Sequence, residues 1–85
     1  MARIVVLGGA ESGVGAAVLA KVKGFDVFLS DNGTIKEEYI NTLRDWNIDF
    51  EQGGHSENLI LNADEVVKSP GIPSTAAIVR KLADQ

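Results

Sequence analysis

An uninterrupted apolar run stands at the start of the chain and ends in a pair of glycines. Residues 2–7 read ARIVVL, and Gly8 and Gly9 follow at once. A short β-branched run that is closed by glycine predicts a strand buried on both faces, as the strands of parallel sheets are. A parallel sheet is therefore the first expectation for this chain.

Helix and strand patterns alternate after this first strand. Helical spacing and the closing Gly24 predict a helix over 13–23, and FDVFLS predicts a second strand over 25–30. Thr34 and Glu37 have the spacing of a capping box, so Thr34 is the expected N-cap of the next helix. The core-facing stripe of that helix is expected to hold Ile35, Tyr39, Leu43 and Trp46.

The second half continues the alternation. Residues 48–52 predict a third strand that a glycine pair ends, and Ser56 is the expected cap of a short helix that runs through Asn62. Residues 65–69 predict a fourth strand, which two prolines stop. A last helix is expected to be capped by Ser74, with inward-facing Ile78 and Leu82.

This order of elements predicts an α/β fold. Strands that alternate with helices form a Rossmann-like, doubly wound parallel sheet with right-handed crossovers, and the expected strand order is 3-2-1-4. Three loops, 8–13, 31–34 and 69–73, then meet outside the carboxyl ends of the strands, where such sheets bind ligands. Because a fifth strand usually follows, the sequence is expected to be a domain truncated before that strand, cut from a longer protein.

Composition narrows the classes of function. The chain has 85 residues, a net charge of −4 and no cysteine. The acidic balance disfavours nucleic acid and anionic membrane partners, and the lack of cysteine excludes disulfides and thiolate sites. The apolar start is too short for a signal peptide or a membrane span, so a cytoplasmic location is expected. His55 has no serine, aspartate or metal-ligand partner at a useful spacing, and neither a catalytic group nor a metal site is predicted.

The first loop is a candidate anion site because it opens a helix. Gly8 allows a tight turn, and Gly13 allows the helix to pack close to the strand. Ala10 stands where a dinucleotide motif has its middle glycine, and Glu11 brings an acid into the loop. Ser12 can donate a hydrogen bond to a phosphate oxygen. The loop alone also fits a plain strand-to-helix connection.

The other two loops carry polar groups at the same edge. Asp31 and Asn32 end the second strand, and an acid here can bind ribose hydroxyls, accept from a base N–H such as that of uracil, or cap its own turn. In the third loop the prolines fix the backbone, Ser69 can donate, and Gly71 allows a ligand to approach the main chain.

The three loops together resemble one family. "VVLGGAESGVGAAVLAKVKGFDVFLSDN" followed by "NADEVVKSPGIP" is similar to the amino-terminal domain of the Mur ligases, and within them to the D-glutamate-adding branch. The resemblance implies that the ligand is the UDP part of UDP-N-acetylmuramoyl-L-alanine, a cell-wall precursor. Full-length members use ATP and Mg²⁺ to form an acyl phosphate that D-glutamate attacks. That chemistry resides in a central and a carboxyl-terminal domain, so this chain alone is expected to dock substrate and to be inactive.

The resemblance also implies roles for individual residues. Main-chain N–H groups of the first loop and Ser12 would contact uridine and diphosphate, while Asp31 and Asn32 would face the uracil. Gly33 departs from the family, because relatives often carry a basic residue there. Two alternatives stay open: an NAD(P)-binding domain of a dehydrogenase or ligand-sensing module, and a domain without a small ligand. The predicted substrate-binding residues are Gly8, Ala10, Glu11, Ser12, Gly13, Asp31, Asn32, Ser69, Pro70 and Gly71.

Overall fold

A computed structural model of the protein describes residues 2–68, in which strands and helices alternate. The predicted last helix, with Ser74, Ile78 and Leu82, lies outside the described residues, as does Ser69 at the end of the predicted fourth strand. The elements follow one another as β1 (Arg3–Leu7), α1 (Glu11–Val22), β2 (Asp26–Asp31), α2 (Glu37–Asp45), β3 (Asp49–Gln52), α3 (Glu57–Ile60) and β4 (Glu65–Lys68).

The four strands form one sheet in the order β3-β2-β1-β4, and every neighbouring pair is parallel. Leu7 lies opposite Ser30 on one side and Lys68 on the other, while Asp31 lies opposite Gln52. The carboxyl ends of the strands therefore meet at one edge. The predicted α/β class and the strand order 3-2-1-4 are confirmed.

The first strand is buried on both faces, as its composition predicts. Ile4 and Val6 point into a core that α1 and α2 complete, whereas Val5 and Leu7 point into a second core that contains Ile60 of α3. All four side chains are less than a tenth exposed. Successive side chains of a strand alternate between its faces, so one short run supplies both cores.

Helix α1 begins at Glu11, two residues before its predicted start. Glu11 and Ser12 therefore lie in the first turn of the helix and not in a loop. The buried positions of α1 are Gly13, Val14, Ala17 and Ala20, and Val22 at its end is 60% exposed. With 12 residues, α1 is the longest helix of the described part, in which no helix is long and apolar enough to cross a membrane. The cytoplasmic location stays a prediction.

Both long helices end in a left-handed residue. After α1, Gly24 has a φ of 90°, and the N–H of Phe25 donates to the carbonyl oxygen of Ala20 at 3.1 Å. After α2, Asn47 has a φ of 55°, and the N–H of Ile48 donates to the carbonyl oxygen of Leu43 at 2.9 Å, which is the same pattern. This motif satisfies the last carbonyl groups of a helix. The predicted role of Gly24 is confirmed.

The predicted capping box of α2 is wrong. Helix α2 begins at Glu37, and its N-cap is Lys36, with an extended backbone and no side-chain capping bond. The chain before it is drawn towards β3, because the N–H of Ile35 donates to Oε1 of Gln52 at 2.8 Å and the Ile35 side chain is buried. Thr34 therefore lies too far ahead of the helix to cap it.

The predicted core position of Trp46 is also wrong. Helix α2 ends at Asp45, and Trp46 follows as the C-cap with 44% of its surface exposed. Ile40 and Leu43 are the buried residues of this helix, and Tyr39 is half-buried against the same core. The inward stripe therefore ends at Leu43, one turn earlier than the spacing suggests.

Candidate functional site

A cavity of about 280 Å³ opens at the carboxyl edge of the sheet, between the loops that follow β1 and β2. One wall belongs to the first loop and the start of α1, and the other belongs to the second loop and the start of α2. The lining includes two acidic residues, one lysine and one tyrosine. The lining residues are Gly9, Ala10, Glu11, Asp31, Thr34, Lys36 and Tyr39.

Asp31 joins the two walls of this cavity. Its Oδ2 accepts a hydrogen bond from the Gly9 N–H at 2.7 Å, and its Oδ1 accepts one from the Gly33 N–H at 2.7 Å. The second bond is the turn-capping role that the sequence left open. Each carboxylate oxygen has a further lone pair, so Asp31 can accept an N–H from a ligand while it holds both loops.

The glycines of the first loop serve packing. Gly8 has a φ of 111°, and its N–H donates to the Ser30 carbonyl oxygen at 2.8 Å, so it continues the β1–β2 ladder. A side chain on Gly13 would place its Cβ 2.9 Å from the Gly8 carbonyl carbon and closer still to the oxygen. The backbones therefore touch at this crossing, and the main-chain donors of Gly8 and Gly9 are already used within the fold.

Donors for a ligand remain at the start of α1. The first N–H groups of a helix have no intrahelical partner and carry a partial positive charge. No described residue accepts from the N–H groups of residues 10–13. Ala10, Glu11 and Ser12 are exposed, and of these three Ala10 and Glu11 line the cavity whereas Ser12 does not. The Glu11 carboxylate favours the helix electrostatically but lies beside any anion that binds here.

Lys36 and Tyr39 belong to the cavity, although the sequence assigned neither to a site. The expected helix start at Thr34 placed both within α2, whereas the extended chain before Glu37 brings Lys36 to the cavity wall. Asn32 and Gly33 are exposed at the tip of the same turn. Lys36 lies three residues beyond Gly33 in the chain, and no signal in the spacing pointed to its place at the cavity.

The third predicted loop lies outside the described residues, together with Ser69, Pro70 and Gly71. The strand that leads into it is described, and its last residue, Lys68, pairs with Leu7. Strand β4 therefore ends at the same edge as β1. The roles of the three loop residues stay predictions.

A second polar cluster lies under the turn that follows β2. The buried Ser30 hydroxyl is 2.7 Å from His55 Nδ1 and donates to Glu51 Oε2 at 2.8 Å. The prediction that His55 lacks a serine partner is therefore wrong. The two residues are 25 positions apart, and only the pairing of β2 with β3, which puts Ser30 opposite Glu51, brings the segments together.

Glu51 is the acceptor at the centre of this cluster. Its carboxylate also accepts from Ser56, through Oε2 from the N–H at 2.8 Å and through Oε1 from the hydroxyl at 2.6 Å. Burial raises the pKa of Glu51, but hydrogen bonds from Ser56 and Ser30 and the charge of His55 outweigh burial and lower the pKa below its usual range. Ser56 occupies the N-cap position of α3 as predicted, yet its hydroxyl serves Glu51 and not the helix.

The described residues contain no group of three or more His, Asp or Glu side chains placed to hold a metal ion. Nor do Ser30 and His55 form a nucleophile and base open to a substrate, because the Ser30 side chain is fully buried. Among the described residues, this edge offers a ligand main-chain N–H groups at the start of α1, two acidic residues, one lysine and one tyrosine.

Comparison with solved structures supports the fold assignment. A pseudomurein peptide ligase type C from Methanothermus fervidus matches with a TM-score of 0.85 and 27% sequence identity, over 99% of this chain and 17% of that one.

Curated relatives are closer in sequence. UDP-N-acetylmuramoylalanine–D-glutamate ligase of Bacteroides thetaiotaomicron is 59% identical over 85 residues, and the enzyme of the same name from Christiangramia forsetii is 51% identical over 83 residues. The chain spans 19% of the length of each of them. The model of the MurD N-terminal domain matches residues 3–78. The chain therefore belongs to the MurD N-terminal domain family.

Proposed function

We propose that this chain binds the uridine diphosphate part of UDP-N-acetylmuramoyl-L-alanine, as the docking domain of an ATP-dependent ligase that adds D-glutamate in peptidoglycan precursor synthesis. The observation that carries the proposal is the cavity in which Asp31 faces the unpaired amides of α1. Family membership and the names of the curated relatives support the choice of ligand.

The polar groups of the cavity match the parts of a uridine nucleotide. Asp31 would accept the N3–H of uracil, which is one of the roles that the sequence left open and the one that the family resemblance implies, and exposed Asn32 would approach the same ring. The amides of residues 10–13 and the Ser12 hydroxyl would bind phosphate oxygens, since a helix start favours anions. Lys36 would supply the positive charge that Gly33 lacks, and it would offset the carboxylate of Glu11.

The chemical step belongs to other parts of a longer protein in this proposal. ATP and Mg²⁺ would act in the central and carboxyl-terminal domains of such a ligase. This chain would orient the precursor for them and would have no ligase activity alone. Incubation of the chain with ATP, Mg²⁺, precursor and D-glutamate should release no phosphate, and release above background would contradict this division of roles.

An amide NMR titration tests the binding site. The chain is titrated in parallel with UMP, UDP-N-acetylmuramoyl-L-alanine and NADH. The proposal expects shifts at residues 8–13, at 31–36 and, from the sequence prediction, at 69–72, with both uridine ligands and not with NADH. Shifts with NADH alone would favour the dinucleotide-binding alternative, and no shift with any nucleotide would favour a domain without a small ligand.

A matched pair of variants tests the role of Asp31. Asp31→Ala should weaken UMP binding by roughly tenfold, the scale of one charge-assisted hydrogen bond. Asp26→Ala removes a carboxylate from the opposite end of the same strand, where it pairs with Arg3, and should leave binding unchanged. Equal affinity in the two variants would remove Asp31 from the site.

A further inference from the structure

The turn that carries Asp31 is held from the side by the segment that follows β3. The N–H of Gly53 donates to the Gly33 carbonyl oxygen at 2.7 Å, and the N–H of Gly54 donates to the Asp31 carbonyl oxygen at 3.4 Å. The Gln52 side chain accepts from Ile35 just beyond the turn. The last residue of β3 and the two glycines after it therefore fix the backbone of the proposed uracil-binding turn.

That segment is itself folded around Glu51. Both carboxylate oxygens accept from Ser56, which closes residues 51–56 into a loop. The Ser30 hydroxyl, one residue before Asp31, donates to the same carboxylate. Glu51 thus binds the start of the turn on one side and the end of the supporting segment on the other.

The charge of Glu51 also sets the orientation of its neighbours. Because hydrogen bonds keep the pKa of Glu51 low, the carboxylate is ionised at neutral pH and can only accept. The Ser30 hydroxyl donates to Glu51 at 2.8 Å, with the Gly54 carbonyl oxygen as a more distant acceptor at 3.5 Å, and its oxygen lies 2.7 Å from His55 Nδ1. The Glu51 carboxylate therefore orients Ser30 and the backbone of the loop that Ser56 closes.

We propose that Glu51 is a positioning residue of the nucleotide site. It holds the Asp31 turn at the cavity through Ser30 and through residues 53–56, without touching the ligand. The proposal rests on the proposed function for the identity of the ligand, but the hold on the turn is a separate property. Glu51 does not belong to the residues that line the cavity, so in this proposal its effect on the ligand passes through the turn.

Three variants of the 85-residue chain separate positioning from plain stability. Glu51→Ala removes all the bonds of the carboxylate. Glu51→Gln keeps the shape, because its oxygen can accept from the Ser56 N–H while its amide donates to the Ser56 hydroxyl. Val27→Ala is the control, since Val27 is buried in the half of β2 remote from the turn and its loss lowers stability without touching the cluster.

The first readout is amide hydrogen exchange, at a temperature at which all variants are folded. Glu51→Ala should speed exchange at the Gly33 and Gly53 amides about tenfold or more relative to Val27→Ala, and Glu51→Gln should restore most of the protection. Equal exchange in Glu51→Ala and Val27→Ala would overturn the proposal, because the turn would then not depend on Glu51.

The second readout is affinity for uridine 5′-diphosphate under the same conditions. Glu51→Ala should lose roughly three- to tenfold in affinity, the equivalent of about one hydrogen bond, while Glu51→Gln and Val27→Ala bind like the parent chain. Faster exchange with unchanged affinity would overturn the positioning role in binding. If the parent chain binds no uridine 5′-diphosphate, the proposed function fails, and the exchange result alone decides whether Glu51 holds the turn.

Discussion

The crossing of α1 over the first loop gives the sharpest test of the fold, because the packing requires glycine at position 13 and not at position 15. A Cβ on Gly13 would lie 2.9 Å from the Gly8 carbonyl carbon, and backbone cannot rotate away as a side chain can. Gly13→Ala must therefore push α1 away from the sheet and loosen the packing of Val14 and Ala17, which are buried on the inner face of this helix.

The cost follows from this geometry. Overpacking a core costs about 1–3 kcal/mol, and an obstacle made of backbone places Gly13→Ala at about 3 kcal/mol. A chain of this size has a free energy of unfolding of about 4–13 kcal/mol. A loss of about 3 kcal/mol corresponds to a fall in Tm of at least about 12 °C for a domain of this length.

Gly15→Ala is the matched control in the same helix. A Cβ on Gly15 meets nothing within 4 Å, so alanine should raise stability by about 0.5–1 kcal/mol through its higher helix propensity. Thermal unfolding followed by circular dichroism measures both variants. Changes in Tm of the same sign and similar size for the two variants would refute the reasoning, because the contact with Gly8 would then not limit the residue at position 13.

Four further predictions concern other parts of the chain. Trp46→Ala should change the free energy of unfolding by less than about 1 kcal/mol, whereas Leu43→Ala, which empties a fully buried site, should cost about 2–5 kcal/mol in urea denaturation. Asn47→Gly should be close to neutral and Asn47→Ala should cost about 1 kcal/mol, since only alanine is strained at a φ of 55°. Glu51 should stabilise the fold fully above the unfolded glutamate pKa of about 4.3 and lose this contribution as the pH falls through its lower folded pKa. Glu51→Gln should therefore flatten the acid side of a plot of the free energy of unfolding against pH. An unchanged acid side would contradict the lowered pKa. Lys36→Ala should weaken binding of UDP more than binding of uridine and leave Tm unchanged; an equal loss for both ligands would place the ammonium group near the base and not near phosphate.

The sheet could be predicted from the sequence because its signals are local. The β-branched run before Gly8, the glycine after α1 and the alternation of segments each depend on neighbouring residues, and a parallel sheet with this order follows from them. The place of Asp31 at the carboxyl edge followed from the same argument.

The wrong predictions for Thr34 and Trp46 arise where the local sequence pattern does not decide where helix α2 begins and ends. Thr34 and Glu37 match a capping box, but the bond from Ile35 to Gln52 draws the chain away from a helix at that point. Trp46 continues the spacing of the stripe, but the helix ends before it.

The Glu51 cluster was missed for a related reason. Its members come from β2, β3 and the segment after β3, and nothing in their spacing joins His55 to Ser30. The parallel register is the signal that could have found the pair of Ser30 and Glu51, because it places them opposite each other.

The residues of the first loop are constrained by the fold to different degrees. Gly9 and Gly13 are fixed by atoms of the fold, since a larger residue at either would meet Ile35 or Gly8. Positions 10–12 are exposed and meet no such limit. Under the proposed function, substitutions at these three positions would alter the contacts with the ligand, whereas substitutions of Gly9 or Gly13 would disturb the packing of the loop itself.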